Sequence, residues 1–228
     1  MRSKAGLISV RNMKALPAFD EPACLPYSIM AMNGSDIVGR TLRGWTAGKS
    51  AKVAMIEVFR RIRDIPYGVL PELNSPIDYW RILETNIGSC TPKHLLMCDM
   101  YSRMGLNVLY AVFPYRWAEF EELYPPDLWK LAQQMDPVNH LACRVEINGR
   151  YVLVDATVDP PLGAIGLPFT ASWDGISDTA LPVLPVGEED LYHPSEADLM
   201  PPPDLNDNAL AFYAGLNTYF QRIRDGQT

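Results

Sequence analysis

Three side chains in this chain of 228 residues have types and spacing that could do covalent chemistry: Cys90, His140 and Asp155. Cys90 lies in Ile87-Gly88-Ser89-Cys90-Thr91-Pro92-Lys93, where a turn runs into a helical pattern. Ser89 or Thr91 suits the cap and Pro92 suits the first turn, which puts the thiol at the positive end of the helix dipole. A thiol there ionises more readily than a free one, the more so with an imidazolium nearby and Lys93 adding charge. The Cys90 backbone N–H is a natural oxyanion donor. A base and a carboxylate that orients it would complete a nucleophilic site.

The elements that carry His140 and Asp155 can be tested geometrically. They sit on two strand-like runs joined by Asn148-Gly149, the strongest short hairpin signal, read as a two-residue type I′ loop. If that loop holds, Ile147 pairs with Arg150 and Asp155 falls opposite Ala142. It is then one diagonal step from His140, about 7–8 Å away and within reach of an imidazole. The opposite face collects Leu141, Cys143, Val145, Val152, Val154 and Ala156 and reads as core. A slip of one residue would separate His140 from Asp155.

Two rival chemistries use nearby residues. Cys90, His94 and Cys98 are spaced four apart, share one helical face and could hold zinc, though no fourth ligand stands close in sequence. Gly48-Lys49-Ser50 looks like a phosphate loop, but the required glycine position is Arg43 and a helical segment precedes it. Neither a metal nor a cofactor is expected.

Around these residues the pattern is that of an α+β domain. Helical spacing starts at Ser35, read as a cap, with Ile37, Val38, Leu42 and Trp45; Ser50 caps a second helix that Pro66 ends. The cysteine helix runs to Gly105, a left-handed cap, and Leu106 to Phe113 reads as a buried strand. Residues 114–138 form an acidic, aromatic insertion; Trp117 and Trp129 in it are candidates for the wall of a cleft. After Pro160-Pro161 the chain turns proline-rich, and Asn206 to Arg224 reads as an amphipathic helix. Ile8-Ser9-Val10 could be a short strand. The organisation expected is an N-terminal extension (1–34), a core (35–165), and a proline-rich segment with a helix that packs on the core (166–228).

The totals exclude several classes. The formal charge is −7, with no basic stripe, so nucleic acid is not an expected partner. No stretch approaches membrane-spanning length, and a soluble, cytoplasmic protein is expected. Of the four cysteines, Cys24, Cys90, Cys98 and Cys143, the last two fall in apolar stretches and read as free and buried. Oligomeric state is not legible.

Ile87-Gly88-Ser89-Cys90, the helix ending Met104-Gly105-Leu106, Asn139-His140, and Tyr151-Val152-Leu153-Val154-Asp155-Ala156-Thr157 resemble the transglutaminase-like superfamily. Arg63-Asp64-Ile65-Pro66-Tyr67 is similar to its approach segment, and the resemblance covers roughly Ser35 to Thr157. It implies a papain-like α+β fold, with the cysteine helix packed on an antiparallel sheet. It implies Cys90 as nucleophile, His140 as general base and acid, and Asp155 as the residue orienting the histidine. The family's tryptophans after the histidine and in the second strand are missing: Leu141-Ala142-Cys143 and Tyr151 stand there. Asn86, Trp80 and Tyr79 are candidates for a second oxyanion donor. The activity implied is acyl transfer on amide bonds of a protein, peptide or other amide substrate through a thioester, more hydrolytic than crosslinking. The alternative is a catalytically silent scaffold.

Overall fold

The computed structural model describes residues 32–199 and 205–227. Ile8-Ser9-Val10 and Cys24 lie outside the described residues. Two helices lead, α1 (Met32–Thr46) and α2 (Ala51–Arg63). α1 begins before Ser35, so that serine lies in its first turn and does not cap it. Ser50 does stand at the N-cap of α2 with extended backbone, but only its carbonyl is used, by Ala54 N–H at 2.8 Å.

A short α3 (Ile82–Thr85) precedes α4 (Cys90–Arg103). α4 ends as its glycine predicts. Gly105 has φ 80°, its N–H reaches the Ser102 carbonyl at 2.9 Å, and the Leu106 N–H reaches that of Tyr101 at 3.1 Å. This paired closure satisfies carbonyls the helix would otherwise orphan. The chain then enters β1 (Val108–Tyr115), a 3-10 stretch Trp117–Leu123, α5 (Pro126–Ala132), β2 (Val138–Ile147) and β3 (Arg150–Val154). Last come α6 (Pro160–Gly163), β4 (Asp190–Tyr192), a 3-10 turn, and α7 (Asp207–Arg224). Asn206 caps α7 by accepting from Ala209 N–H at 2.9 Å.

The fold is α+β, with one antiparallel sheet in the order β3-β2-β1-β4. The hairpin register is the one the turn dictates: Ile147 faces Arg150, and Cys143 faces Val154. Asn148 and Gly149 have φ of 53° and 79°, as a type I′ turn requires.

Each sheet face has its own core. Leu141, Cys143, Val145, Val152, Val154 and Ala156 are buried with residues of α1, α2 and α4. Burying one such aliphatic side chain contributes about 1.5–3 kcal/mol. The other face, carrying Ala111, Ala142 and Leu153, is equally closed, by Leu128 of α5 and by Phe212, Leu216 and Phe220 of α7. The small residues Ala111 and Ala142, both fully buried, leave room for those rings. His140 and Asp155 therefore meet inside the protein at one end of the sheet, between the two cores.

Candidate active site

Cys90 is the first residue of α4. The helix starts there because Gly88 lets the preceding chain close up. Its N–H bonds the Pro66 carbonyl, its carbonyl accepts from Gly68, and a Cβ at Gly88 would come within 2.9 Å of Ile82. Ser89 occupies the N-cap with extended backbone, but its hydroxyl donates to Asn74 Oδ1 at 2.6 Å and not to the helix. No side chain caps α4, so the expected serine or threonine cap is not formed, and the first backbone N–H groups are not spent on one.

His140 opens the buried part of β2, and Asp155 follows the last residue of β3. Their side chains meet, with His140 Nε2 at 2.5 Å from Asp155 Oδ2. The residues after Asp155 hold its carboxylate in place. The Thr157 N–H donates to Oδ1 at 2.9 Å, and Asp155's own N–H donates to Thr179 Oγ1 at 2.7 Å. Thr179 lies in a segment that runs along β3 and donates its N–H to Leu153 O.

The thiol, the imidazole and the carboxylate form one electrostatic chain. Burial pushes the Cys90 thiol up, but the charge and hydrogen bond of His140 and the Leu141 N–H outweigh it, so its pKa is lowered. Burial alone would lower His140; Asp155 and Cys90 raise it instead, to about 10. Burial raises Asp155, yet His140, His94 and the Thr157 N–H hold it below the usual carboxylate value. An anionic thiol beside a cationic imidazole is the state these contacts favour. The three groups are also enclosed: Cys90 is 6 % exposed and His140 2 %.

His94 and Lys93 serve differently from their sequence readings. His94 is fully buried one turn along α4. Its Nδ1 lies 2.8 Å from the Cys90 carbonyl and its Nε2 accepts from the Ala156 N–H at 2.9 Å. That fixes the proton on Nδ1 and leaves no lone pair for a metal. Cys98 points to Cys143, with sulfurs 2.9 Å apart, and burial raises its pKa. The Cys90/His94/Cys98 zinc set is therefore not assembled. Among the described residues no group of three or more His, Cys, Asp and Glu side chains is arranged around a metal position. Lys93 is not a charge in a cleft. Its Nζ is buried against the carbonyls of Arg63, Ala156 and Thr157 at 2.7–3.3 Å. Burial pulls its pKa down to about 7, opposed by Asp159 and Asp155. Three carbonyl acceptors match the three protons of an ammonium.

The expected second oxyanion donors are not brought to the site. The Tyr79 hydroxyl donates to Asp99 at 2.8 Å, Trp80 packs on the α4-side core, and Asn86 is exposed with left-handed backbone that caps α3. All three lie on the approach to α4, where sequence proximity to Cys90 does not translate into facing it. Trp117 does reach the site and Trp129 does not. A cavity bounded by His140 has the rings of Tyr67, Tyr115, Trp117, Phe120, Tyr124 and Phe220 as its main walls. Tyr67 had no sequence signal beyond ending the approach segment, and Tyr115 none beyond following a strand-like run. Tyr67 is held by Asp159, which accepts its N–H at 2.9 Å and pairs with Arg224 of α7 at 2.8 Å. That buried ion pair ties the last helix to the site from 65 residues away in sequence. Among the described residues no helix is long and apolar enough to cross a membrane.

No family model matches this chain, and no curated protein does. Among solved structures it is similar to one described as a candidate cysteine protease from Cytophaga hutchinsonii, at 13 % identity and a TM-score of 0.41. The likeness covers 66 % of this chain, which spans 58 % of that one. At that distance it carries no argument, and the site is argued from its own geometry.

Proposed function

We propose that the protein is a cysteine-dependent acyl-transfer enzyme acting on amide bonds. The observation that carries this reading is the enclosed Cys90–His140–Asp155 chain, in which the thiol's pKa is lowered and the imidazole's raised. With Nε2 of His140 committed to Asp155, the other ring nitrogen is the one left for the thiol and for proton transfer.

The Cys90 thiolate attacks the amide carbon, and the C=O electron pair moves onto oxygen. Backbone N–H groups at the start of α4, with the positive end of the helix dipole, stabilise that oxyanion. Collapse of the intermediate breaks the C–N bond while His140 gives its proton to the departing nitrogen, leaving a thioester and a neutral imidazole. His140 then takes a proton from water, or from a second amine, as that nucleophile displaces the thiolate. Water makes the reaction a peptidase or amidase step, which is the outcome proposed; an amine would make it crosslinking. The amide substrate is a protein, peptide or related molecule. The intracellular setting expected from the sequence is proposed with it, and needs no cofactor.

The test is thiol chemistry followed by trapping. Iodoacetamide alkylation, followed by intact mass across pH, is expected to find Cys90 titrating well below the ordinary thiol value of about 8.5. An acylating activity probe is expected to label Cys90, and screening of peptide and cell-wall amide libraries then identifies the substrate. If Cys90 reacts like a model thiol and Cys90→Ala retains the activity found, the reading is wrong. The low exposure of all three groups favours a second reading, a non-catalytic scaffold; a Cys90/His140/Asp155 triple variant that works fully in cells would establish it.

A further inference from the structure

The cavity beside His140 is a built feature that the resemblance to the transglutaminase-like superfamily does not account for. Leu167, Pro182, Val183 and Phe220 in its wall come from residues beyond Thr157, where that resemblance ends. It has a volume of about 30 Å³. Of its lining groups His140 is the one charged side chain, and none is Asp, Glu, Lys or Arg. His140 lines it and Cys90 does not.

We propose that this cavity receives the substituent on the nitrogen side of the cleaved amide, and that the substituent is a short, uncharged aliphatic group of roughly ethyl to isopropyl size. The inference rests on the acyl-transfer reading above. In that reading His140 protonates the departing nitrogen, so the nitrogen and what it carries lie on the imidazole's side, where the cavity is. The volume corresponds to about two waters, which a two- or three-carbon group fills. A charged substituent is disfavoured because its hydration would be lost and His140, the one charged group in the wall, is already paired with Asp155 and Cys90. The six aromatic faces are the one feature that would draw a cation, and the aminoethyl reagent below tests it.

The experiment uses the full chain and a series of N-substituted iodoacetamides, whose amide nitrogen stands for the leaving nitrogen. Second-order rates at Cys90 are measured by intact mass for the parent, N-ethyl, N-isopropyl, N-carboxymethyl and N-(2-aminoethyl) reagents, each divided by its rate with glutathione. Relative to the parent, the alkyl reagents are expected to gain about fourfold per buried methylene. Both charged reagents are expected to fall at least tenfold below the isopropyl one. Val183→Trp or Leu167→Trp, each checked for a cooperative melt, fills the cavity and is expected to erase the alkyl gain. Equal rates across the series, or an aminoethyl reagent that is fastest, would overturn the proposal. If the parent itself reacts no faster than with glutathione, the reactive-thiol reading fails separately, while the ratios within the series still decide whether the pocket exists.

Discussion

His94 and His140 are neighbours, with ring centroids 6.1 Å apart, and both side chains are buried. Burial acts on the two imidazoles in the same direction, against the charged form. Yet one is held neutral and the other cationic. His94 meets a backbone carbonyl and a backbone N–H; burial dominates, Asp155 and the Cys90 carbonyl offset it only in part, and its pKa falls to about 4. His140 meets a carboxylate and a thiol that can ionise, and these more than offset burial. Asp155 is neighbour to both, with Oδ1 3.9 Å from His94 Nε2. Its close contact goes to His140 because the Ala156 N–H already occupies the His94 nitrogen. The role of a buried histidine is thus set by which atoms can reach each ring nitrogen, and not by how deep it lies or how near it is to the nucleophile.

The sharpest way to break this contrast is to remove one ring at a time. Under the proposed function, His140→Ala takes away both the counter-charge and the proton donor. Amide turnover is expected to fall by about 10²–10⁴. Alkylation of Cys90 at pH 6 is expected to slow at least about tenfold, and its profile to move to that of an ordinary thiol. A variant whose alkylation profile matched the wild type would mean that the α4 dipole, not His140, sets the thiol's state.

His94→Ala is expected to do the converse. It strands the Ala156 N–H, frees a carbonyl at the start of α4, and opens a cavity in the core. Together these cost about 3 kcal/mol of stability, read as a lower denaturation midpoint. The pH profile of Cys90 alkylation should keep its lowered position in the fraction that stays folded. A profile shifted toward 8.5 with stability intact would reverse the roles of the two rings.

How much of this was legible follows from the range of the interactions. The Asn148-Gly149 turn acts within four residues, and it fixed the register that brings His140 to Asp155. Gly105 ended α4 for the same local reason. By contrast, His94 looked like a zinc ligand and Lys93 like a free charge. Each is defined by backbone atoms of Ala156 and Thr157 some 60 residues on, and backbone partners leave no mark in side-chain spacing. Tyr67 and Tyr115 face the site through a cavity whose far wall is α7. Asn86, Tyr79 and Trp80 show the opposite failure, being near Cys90 along the chain and turned elsewhere by Asp99 and the core. Trp117 and Trp129 looked equivalent within one insertion, and only the first lines the cavity.

Titrating stability sharpens the comparison with the smallest effect, because the two histidines then act in separate pH windows. His94 binds a proton readily when unfolded, near pH 6.5, but only near about 4 when folded. Its contribution is therefore complete above 6.5 and is lost as pH falls from 6.5 toward 4. The slope is about 1.4 kcal/mol per pH unit, since the unfolded chain holds one more proton across that window. His140 is raised, so its contribution is complete below 6.5 and is lost only as pH climbs toward about 10. Lys93, lowered to about 7, likewise changes its difference in bound protons only above neutrality. Asp155, lowered from 3.8, acts below the window. Urea unfolding at pH 7, 6, 5 and 4.5 should thus give a fall in stability that His94→Gln largely removes. Glutamine offers the same donor and acceptor without titrating, so the substitution separates the ring's proton from its hydrogen bonds. If the fall persists in His94→Gln, the acid sensitivity belongs to groups other than His94, and the neutral state of His94 is not what distinguishes the two histidines.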